Sequence, residues 1–287
     1  MILVDYNQLV IAASAMVAKT PTSTDETGHS PLALTRHLVW NMLRTYRRKF
    51  FGQYGELVIC CDRGPYWRED VFPYYKHNRK TSQRIESPER TAILDHLSTL
   101  RTELTEFSPY KVVTVIGAEA DDVIATLVRA HPFLPSVIVS DDHDFGQLQT
   151  EVFLTQYQPR KKSFFQSQNP ALLLRQHIVE GDPGDGVPNF LSDDDSLAVN
   201  GKKQRPLRNS AQYLDLNASA DSICTTPEMR HGWQRNQRLV DFDFIPDSIR
   251  EKCLNAYAVA EQAPRSELLD YFMRHRCKAL MAAVGEF

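Results

Sequence analysis

Carboxylates follow short apolar runs at three places in the first half of the chain. Residues 2–4 precede Asp5, residues 57–61 precede Asp62, and residues 136–140 precede the cluster of Asp141, Asp142, His143 and Asp144. Aliphatic and β-branched runs of this kind are typical of strands buried on both faces of a parallel sheet. Because such sheets gather the carboxyl ends of their strands at one edge, these acids are expected to meet. Their repulsion is tolerable if divalent cations lie among them, and oxygen ligands favour Mg²⁺ or Mn²⁺ over Zn²⁺.

Two further acidic clusters extend this set. Glu119, Asp121 and Asp122 precede the apolar run 123–128, which predicts a helix whose first turn stabilises negative charge. The segment 181–189 holds three glycines and two prolines, which predicts a tight irregular loop carrying Asp182 and Asp185. Taken singly, an acid after a strand is usually a turn or helix-cap residue. Taken together, the five clusters favour a site for hard metal ions.

Alternating strand and helix patterns must position these acids. Strands are predicted at 2–5, 56–61, 111–115, 136–140 and near 151–156, and helices near 7–17, 31–51, 88–106, 120–131, 170–180, 246–259 and 264–283. This order predicts an α/β fold with a mostly parallel central sheet and flanking helices, followed by a smaller helical domain. We place the first domain at residues 1–180 and the second at 181–287.

An aromatic and basic segment lies between the second and third predicted strands. It contains, in order, Tyr74, Tyr75, Lys76, His77, Asn78, Arg79 and Lys80. Aromatic rings can stack on bases and cations can follow phosphates, a combination suited to single-stranded nucleic acid. Without further information, the same residues favour an ordinary amphipathic surface segment over this interpretation.

Composition narrows the class of protein. The net charge is -3, yet basic residues gather in patches, among them Lys202, Lys203 and Arg205, as expected for phosphate contacts. No apolar run approaches the roughly 20 residues that span a bilayer, and no basic segment precedes an early apolar stretch. The five cysteines lack metal-ligand spacing, which predicts buried thiols in a reducing cytoplasm.

These motifs, in this order, resemble the 5′-nuclease (flap endonuclease) family, and within it the T-even phage branch. The resemblance covers essentially the whole chain. The matching pieces are residues 3–6, 61–62 with 66–68, 74–79, 119–122, 140–145, 181–182 with 185, and 240–247.

The resemblance implies two Mg²⁺ ions, for which Mn²⁺ could substitute. Asp5, Asp62, Glu119, Asp121 and Asp142 would hold the first, and Asp144, Asp182 and Asp185 the second. Asp122 would orient a ligand or a bound water. An arch over the site would span about residues 74–105, with Lys76 and Arg79 on the scissile phosphate and Tyr75 stacked on the terminal base. Lys80 would add phosphate affinity. Asp121 and Asp142 are expected to be essential for catalysis.

The implied activity is 5′-to-3′ exonuclease and flap endonuclease cleavage of RNA·DNA and DNA duplexes. The implied role is removal of RNA primers from lagging-strand fragments in phage replication, in the cytoplasm of the host. A monomer is expected, with a single-strand-binding protein or a sliding clamp as candidate partners.

The chain departs from the family pattern at two places. Asp141 stands where the family has a small polar residue, which adds a carboxylate to the site. Residues 188–195 replace a glycine-rich hairpin that grips duplex phosphate and often potassium, and they include three acids. Lys202, Lys203 and Arg205 are candidates to serve instead.

The sequence disfavours three alternative functions. A non-catalytic, structure-specific DNA-binding module would not need all eight carboxylates. A PIN-type ribonuclease shares the sheet but is shorter and lacks the loop at Gly181. A phosphatase using an Asp-x-Asp motif is disfavoured, because Asn7 stands where its second acid should be.

Overall fold

The computed structural model describes residues 1–19, 30–77, 88–150 and 152–287. Within them lies a six-stranded sheet in the order β3-β2-β1-β4-β5-β6, parallel throughout except for the antiparallel edge strand β6. The strands are β1 (Ile2–Asp5), β2 (Leu57–Cys61), β3 (Lys111–Thr114), β4 (Ser136–Val139), β5 (Leu154–Gln158) and β6 (Ser163–Phe165). The predicted α/β class and mostly parallel sheet are confirmed. Strand β6 was not predicted, because three residues give too short a pattern.

Helices flank the sheet and continue beyond it. Those of the described residues are α1 (Tyr6–Lys19), α2 (Pro31–Tyr54), α3 (Trp67–Val71), α4 (Pro88–Phe107), α5 (Ala120–Ala130), α6 (Pro170–Glu180), α7 (Ala220–Ile223), α8 (Pro227–Val240), α9 (Asp247–Val259), α10 (Arg265–Arg274) and α11 (Lys278–Met281). The single helix predicted at 264–283 is wrong: it divides around Arg276, whose positive φ of 55° ends one helix before the next begins.

Two hydrophobic cores cover the two faces of the sheet. On one face, alternate strand residues such as Val4 and Ile59 pack against α1, α2, α4, α10 and α11. On the other face, their neighbours Leu3 and Cys60 pack against α5 and α9. The alternation follows from the two-residue period of a strand, and burial of both faces is what a parallel sheet requires.

A third hydrophobic core joins the loop that carries Asp182 and Asp185 to helix α8. It contains residues of α3 and the following turn, the end of α6, the loop after it, and α8. Residues 242–287, by contrast, pack on the sheet itself. The boundary between two domains at residues 180 and 181 stays a prediction. The packing places the last three helices, α9, α10 and α11, with the sheet.

All five cysteines are buried free thiols. In the part of the chain that the structure describes, no helix has the length and apolar character to cross a membrane.

Candidate active site

A cavity of about 770 Å³ opens at the carboxyl edge of the sheet. All eight carboxylates predicted as metal ligands line it: Asp5, Asp62, Glu119, Asp121, Asp142, Asp144, Asp182 and Asp185. Lys76, Asp141 and Arg160 line the same space. The structure therefore brings together residues separated by up to 180 positions, because successive strands end at one edge and the loop after α6 folds back over it.

The ends of β1 and β2 place the first two acids. Asp5 accepts hydrogen bonds from the Gln8 backbone N–H at 3.1 Å and the Ser140 hydroxyl at 3.2 Å. Asp62 accepts from the Ala120 backbone N–H and the Asn7 amide, both at 2.7 Å. The first turn of a neighbouring helix thus fixes each acid, with its carboxylate oxygens at the edge of the cavity.

The first turn of α5 brings Glu119 and Asp121 to the site. Glu119 caps the helix, and the Asp122 carboxylate accepts a hydrogen bond from the Glu119 backbone N–H at 2.9 Å, forming a capping box. Asp122 is fully buried and does not line the cavity. It accepts from the Trp67 indole N–H at 3.1 Å and pairs with Arg68 at 2.9 Å. Its position behind Glu119 suits the orienting role expected for it.

Arg68 is a site residue whose role the sequence did not predict. Its side chain is buried, and its guanidinium donates to Glu119 at 2.8 Å and to the Leu239 carbonyl at 2.8 Å. A buried cation beside a buried acid holds that acid in its charged form. Arg68 also stacks on the ring of the adjacent Trp67, and the family match at residues 66–68 was the sequence signal that included it.

The cavity holds uncompensated negative charge. Burial, then repulsion from Asp62 and Asp142, raises the pKa of Asp5 to about 7. Burial and the neighbouring carboxylates also raise the pKa of Asp121, Asp144 and Asp62. Burial alone would raise the pKa of Glu119, yet Lys76 and Arg68 more than offset it and lower that pKa. A cluster of this kind calls for added positive charge.

The turn after β4 supplies Asp142 and Asp144. Gln156 on β5 donates to the Asp142 carbonyl at 2.5 Å, and Asp142 accepts from the Asp144 backbone N–H at 2.9 Å. His177 on α6 lies with Nδ1 3.2 Å from Asp144. Asp141, the extra acid of this turn, pairs with Arg160 at 3.5 Å.

The loop after α6 supplies Asp182 and Asp185. The Asp182 carboxylate accepts from the backbone N–H groups of Gly184 at 2.8 Å and Asp185 at 3.2 Å, which closes a one-turn 3₁₀ helix. Gly186 ends it with φ of 77°, and an added Cβ there would lie 2.8 Å from the Tyr74 carbonyl. Only glycine satisfies both the left-handed backbone and this close approach.

Lys76 and Tyr75 connect the start of the arch to these acids. The Lys76 ammonium pairs closely with Glu119 and lies 3.6 Å from Asp185. Tyr75 is only 4% exposed, and its hydroxyl donates to Glu119 at 2.8 Å and Asp185 at 3.0 Å. The role implied for Tyr75, stacking on a terminal base, is therefore wrong for this arrangement. Its ring belongs to the third core and only its hydroxyl reaches the site.

Other predicted nucleic-acid contacts fall in two groups. Arg79 and Lys80 lie outside the described residues, as do the other residues of 78–87 within the predicted arch. Lys202 is paired with Asp193 at 3.1 Å and also with Asp195, and Arg205 is paired with Asp193 at 3.3 Å. Their charge is partly neutralised within their own loop. Lys203 is exposed.

The cavity also has an apolar wall that the sequence did not predict. Residues of α1 and α2 form it, including Ile11, Ala15, Met16 and Met42. Ile11 and Met16 are 45% and 54% exposed. The helical spacing of these residues predicts only an ordinary core-facing side of an amphipathic helix. Their position beside the carboxylates is what makes them a candidate substrate-binding surface.

The donor set fits hard divalent cations, since every predicted ligand is a carboxylate. As the side chains stand, no group of three Asp, Glu, His or Cys residues in the described ranges could hold an ion.

The α/β fold, with acids gathered at its carboxyl edge, defines a metal-dependent nuclease. The family described as 5′-3′ exonuclease, N-terminal resolvase-like domain, matches residues 1–173, and that described as T4 RNase H, C terminal, matches residues 169–287. The chain belongs to the 5′-3′ exonuclease family. The alternatives of a non-catalytic module and a PIN-type ribonuclease are set aside by this membership.

A curated relative covers nearly the whole chain. It is the ribonuclease H of Enterobacteria phage T4, 27% identical over 299 aligned positions that span 99% of this chain and 95% of that protein. The predicted resemblance to the T-even branch is confirmed.

Solved structures show the same fold. The bacteriophage T5 5′-exonuclease with bound zinc has 17% identity and a TM-score of 0.61, and the T5 flap endonuclease in a complex with DNA and metal ions has 18% identity and a TM-score of 0.61. Each alignment covers 91% of this chain and 99% of the T5 chain.

Proposed function

We propose that this protein is a two-metal-ion 5′-to-3′ exonuclease and flap endonuclease that acts on RNA·DNA and DNA duplexes. One observation carries the proposal: all eight predicted carboxylates line a single cavity beside Lys76. Mg²⁺ is the proposed cofactor, with Mn²⁺ able to replace it, because the ligands are oxygen atoms.

The metal ligands divide into two groups. Asp5, Asp62, Glu119, Asp121 and Asp142 would hold one ion, and Asp144, Asp182 and Asp185 the other. When bound, such ions stabilise the charge that develops on the phosphate and on the leaving oxygen. Arg68 and Asp122 fix Glu119 from behind through contacts of 2.8 and 2.9 Å.

Cations of the arch complete the proposed mechanism. The Lys76 ammonium lies beside Glu119 and Asp185, so it would be placed to contact a phosphate bound at these carboxylates. Lys76 and Arg79 would then stabilise the charge that grows on the scissile phosphate. Tyr75 orients Glu119 and Asp185 through its hydroxyl.

The proposed biological role is removal of RNA primers from lagging-strand fragments during phage replication. It rests on the T4 relative, which is named a ribonuclease H and is similar over the whole chain. The protein would act as a monomer in the host cytoplasm. Residues 181–287 would contribute to DNA binding, and a single-strand-binding protein or a sliding clamp would recruit the enzyme.

The test compares two substrates, a 5′-labelled DNA flap and a nicked RNA·DNA hybrid labelled at the 5′ end of the RNA. We expect short labelled products from both in Mg²⁺ and in Mn²⁺, and none in EDTA. A 3′-labelled duplex with a blocked 5′ end is the control and should stay intact. Cleavage in EDTA, or degradation from the 3′ end, would contradict the proposal.

A further inference from the structure

Arg235 on α8 is a buried arginine with every donor in use. Its side chain is 3% exposed, and a guanidinium carries five N–H donors. Its acceptors are Asn236 Oδ1 at 2.9 Å, Asp194 Oδ1 at 2.7 Å, and the carbonyl oxygens of Pro188 at 2.9 Å, Asn189 at 3.0 Å and Ser192 at 3.1 Å. Three of the five are main-chain carbonyls of one short segment.

Two neighbours on the same face of α8 reach the same segment. Asn236 is fully buried, and its amide donates to the carbonyls of Ile178 and Pro188, each at 2.9 Å. Gly232, one turn earlier, packs directly against the Phe190 carbonyl, where a Cβ has no room. Positions 232, 235 and 236 share a face because a helix turns every 3.6 residues.

The anchored points bracket the loop that carries Asp182 and Asp185. Ile178 precedes that loop and Pro188 follows it, and Asn236 binds both carbonyls. Gly181 packs against the Pro188 carbonyl, since a Cβ added at Gly181 would lie 2.5 Å from that oxygen. A shift of Pro188 would therefore be passed to the residue next to Asp182.

We propose that Arg235 and Asn236 are positioning residues for the metal-binding loop: they hold Asp182 and Asp185 at the cavity without touching substrate or metal. The site side of the loop has its own supports, since the Lys76 backbone N–H donates to the Asp185 carbonyl at 2.6 Å and Tyr75 donates to its carboxylate. Side chains behind metal ligands tune affinity in this way. The inference rests on the proposed two-metal function.

The test measures Mn²⁺ binding without substrate, by the loss of the electron paramagnetic resonance signal of free Mn²⁺. Arg235→Lys keeps the charge opposite Asp194 but cannot supply five donors. We expect one Mn²⁺ affinity to fall by about tenfold and the other to stay unchanged. The Mg²⁺ concentration for half-maximal cleavage should rise by a similar factor, while cleavage at saturating Mg²⁺ stays near wild type.

His231→Gln is the matched control, since His231 lies on the same helix and contacts Asp194 from the solvent side, at 3.1 Å. It should bind Mn²⁺ as the wild type does. If Arg235→Lys does not fold, as judged by thermal unfolding in EDTA, Asn236→Ser removes the two amide donors and carries the same test.

Asp185→Asn separates failure of this inference from failure of the proposed function. If Asp185→Asn leaves both Mn²⁺ affinities unchanged, the metal assignment of the loop is wrong. If Asp185→Asn weakens one affinity but Arg235→Lys and Asn236→Ser do not, the positioning role is wrong. If the role is right, the double variant Arg235→Lys with Asp185→Asn should bind Mn²⁺ only a little more weakly than Asp185→Asn alone, because both changes affect the same ion.

Discussion

The chain has two acidic regions that are alike in composition and opposite in arrangement. Asp141, Asp142 and Asp144 follow β4, and Asp193, Asp194 and Asp195 follow the loop that carries Asp182 and Asp185. In the first region burial and mutual repulsion raise the pKa of Asp144. In the second, Lys202 lowers the pKa of Asp193, and Arg235 and His231 together outweigh burial to lower the pKa of Asp194.

The difference distinguishes the candidate metal site from a cluster of acids that serves the structure of its own loop. In the loop at 192–205 the chain supplies the cations that its acids need, so the charges hold the loop together. At the sheet edge the cations are fewer than the acids, and they are directed at Glu119, Asp185 and Asp141. Charge that a protein leaves uncompensated in a cavity is charge that a ligand can satisfy.

The largest effect should come from removing a carboxylate at the sheet edge. Asp142→Asn should abolish cleavage at any Mg²⁺ concentration, because a neutral amide is a poor ligand where several carboxylates share a hard cation. DNA binding in Ca²⁺ should persist. Asp195→Asn, which removes a partner of Lys202 and no acceptor of Arg235, is the control from the paired region and should cleave normally if folded. If Asp142→Asn cleaved at nearly the wild-type rate, the sheet-edge acids would no longer differ in function from the paired acids at 193–195.

A smaller effect should come from the cation at the rim of the cavity. Lys76→Ala should lower single-turnover cleavage by on the order of 10²-fold, as loss of other donors to a developing oxyanion does. Duplex affinity should fall only slightly, and its salt slope by about one unit at most. Arg160→Ala is the matched control, because Arg160 is exposed and pairs with Asp141. A large loss of affinity with normal cleavage at saturating enzyme would make Lys76 a binding residue only.

Uncompensated charge should also make stability depend on pH. The pKa of Asp5 is raised from 3.8 to about 7, so the folded protein binds protons more tightly than the unfolded chain. This contribution is fully present below about pH 4 and is lost as the pH rises towards 7. The melting temperature in EDTA should therefore fall between pH 5 and pH 8, and Mg²⁺ should restore it most at the higher pH.

The control for this measurement is Asp5→Asn, which should flatten the fall. A melting temperature in EDTA that rises over the same range would show that the sheet-edge acids are compensated after all.

The elements that hold the acids were accessible from sequence because their signals are local. The runs before Asp5 and Asp62 predict buried strands, and a parallel sheet then brings their ends together. Tyr75 shows where local reasoning stops: its neighbours suggest stacking on a base, but its burial depends on packing against α6 and α8, which are distant in sequence. Arg235 was missed for the same reason, since its acceptors are main-chain carbonyls more than 40 positions away.

The smallest effects should come from the cations of the paired loop. Lys202→Ala and Arg205→Ala should each weaken duplex binding in Ca²⁺ by less than about twofold, because an exposed cation already paired with an acid contributes little. Lys203 is the matched residue in the same loop, and Lys203→Ala should lower the salt slope by about one unit if it contacts phosphate. Asp193→Ala should have the opposite sign and tighten binding, since it releases Lys202 and Arg205 from a shared partner. A tenfold loss of affinity in Lys202→Ala, with the slope reduced by one, would instead place the loop on the phosphate backbone and make it a second binding site.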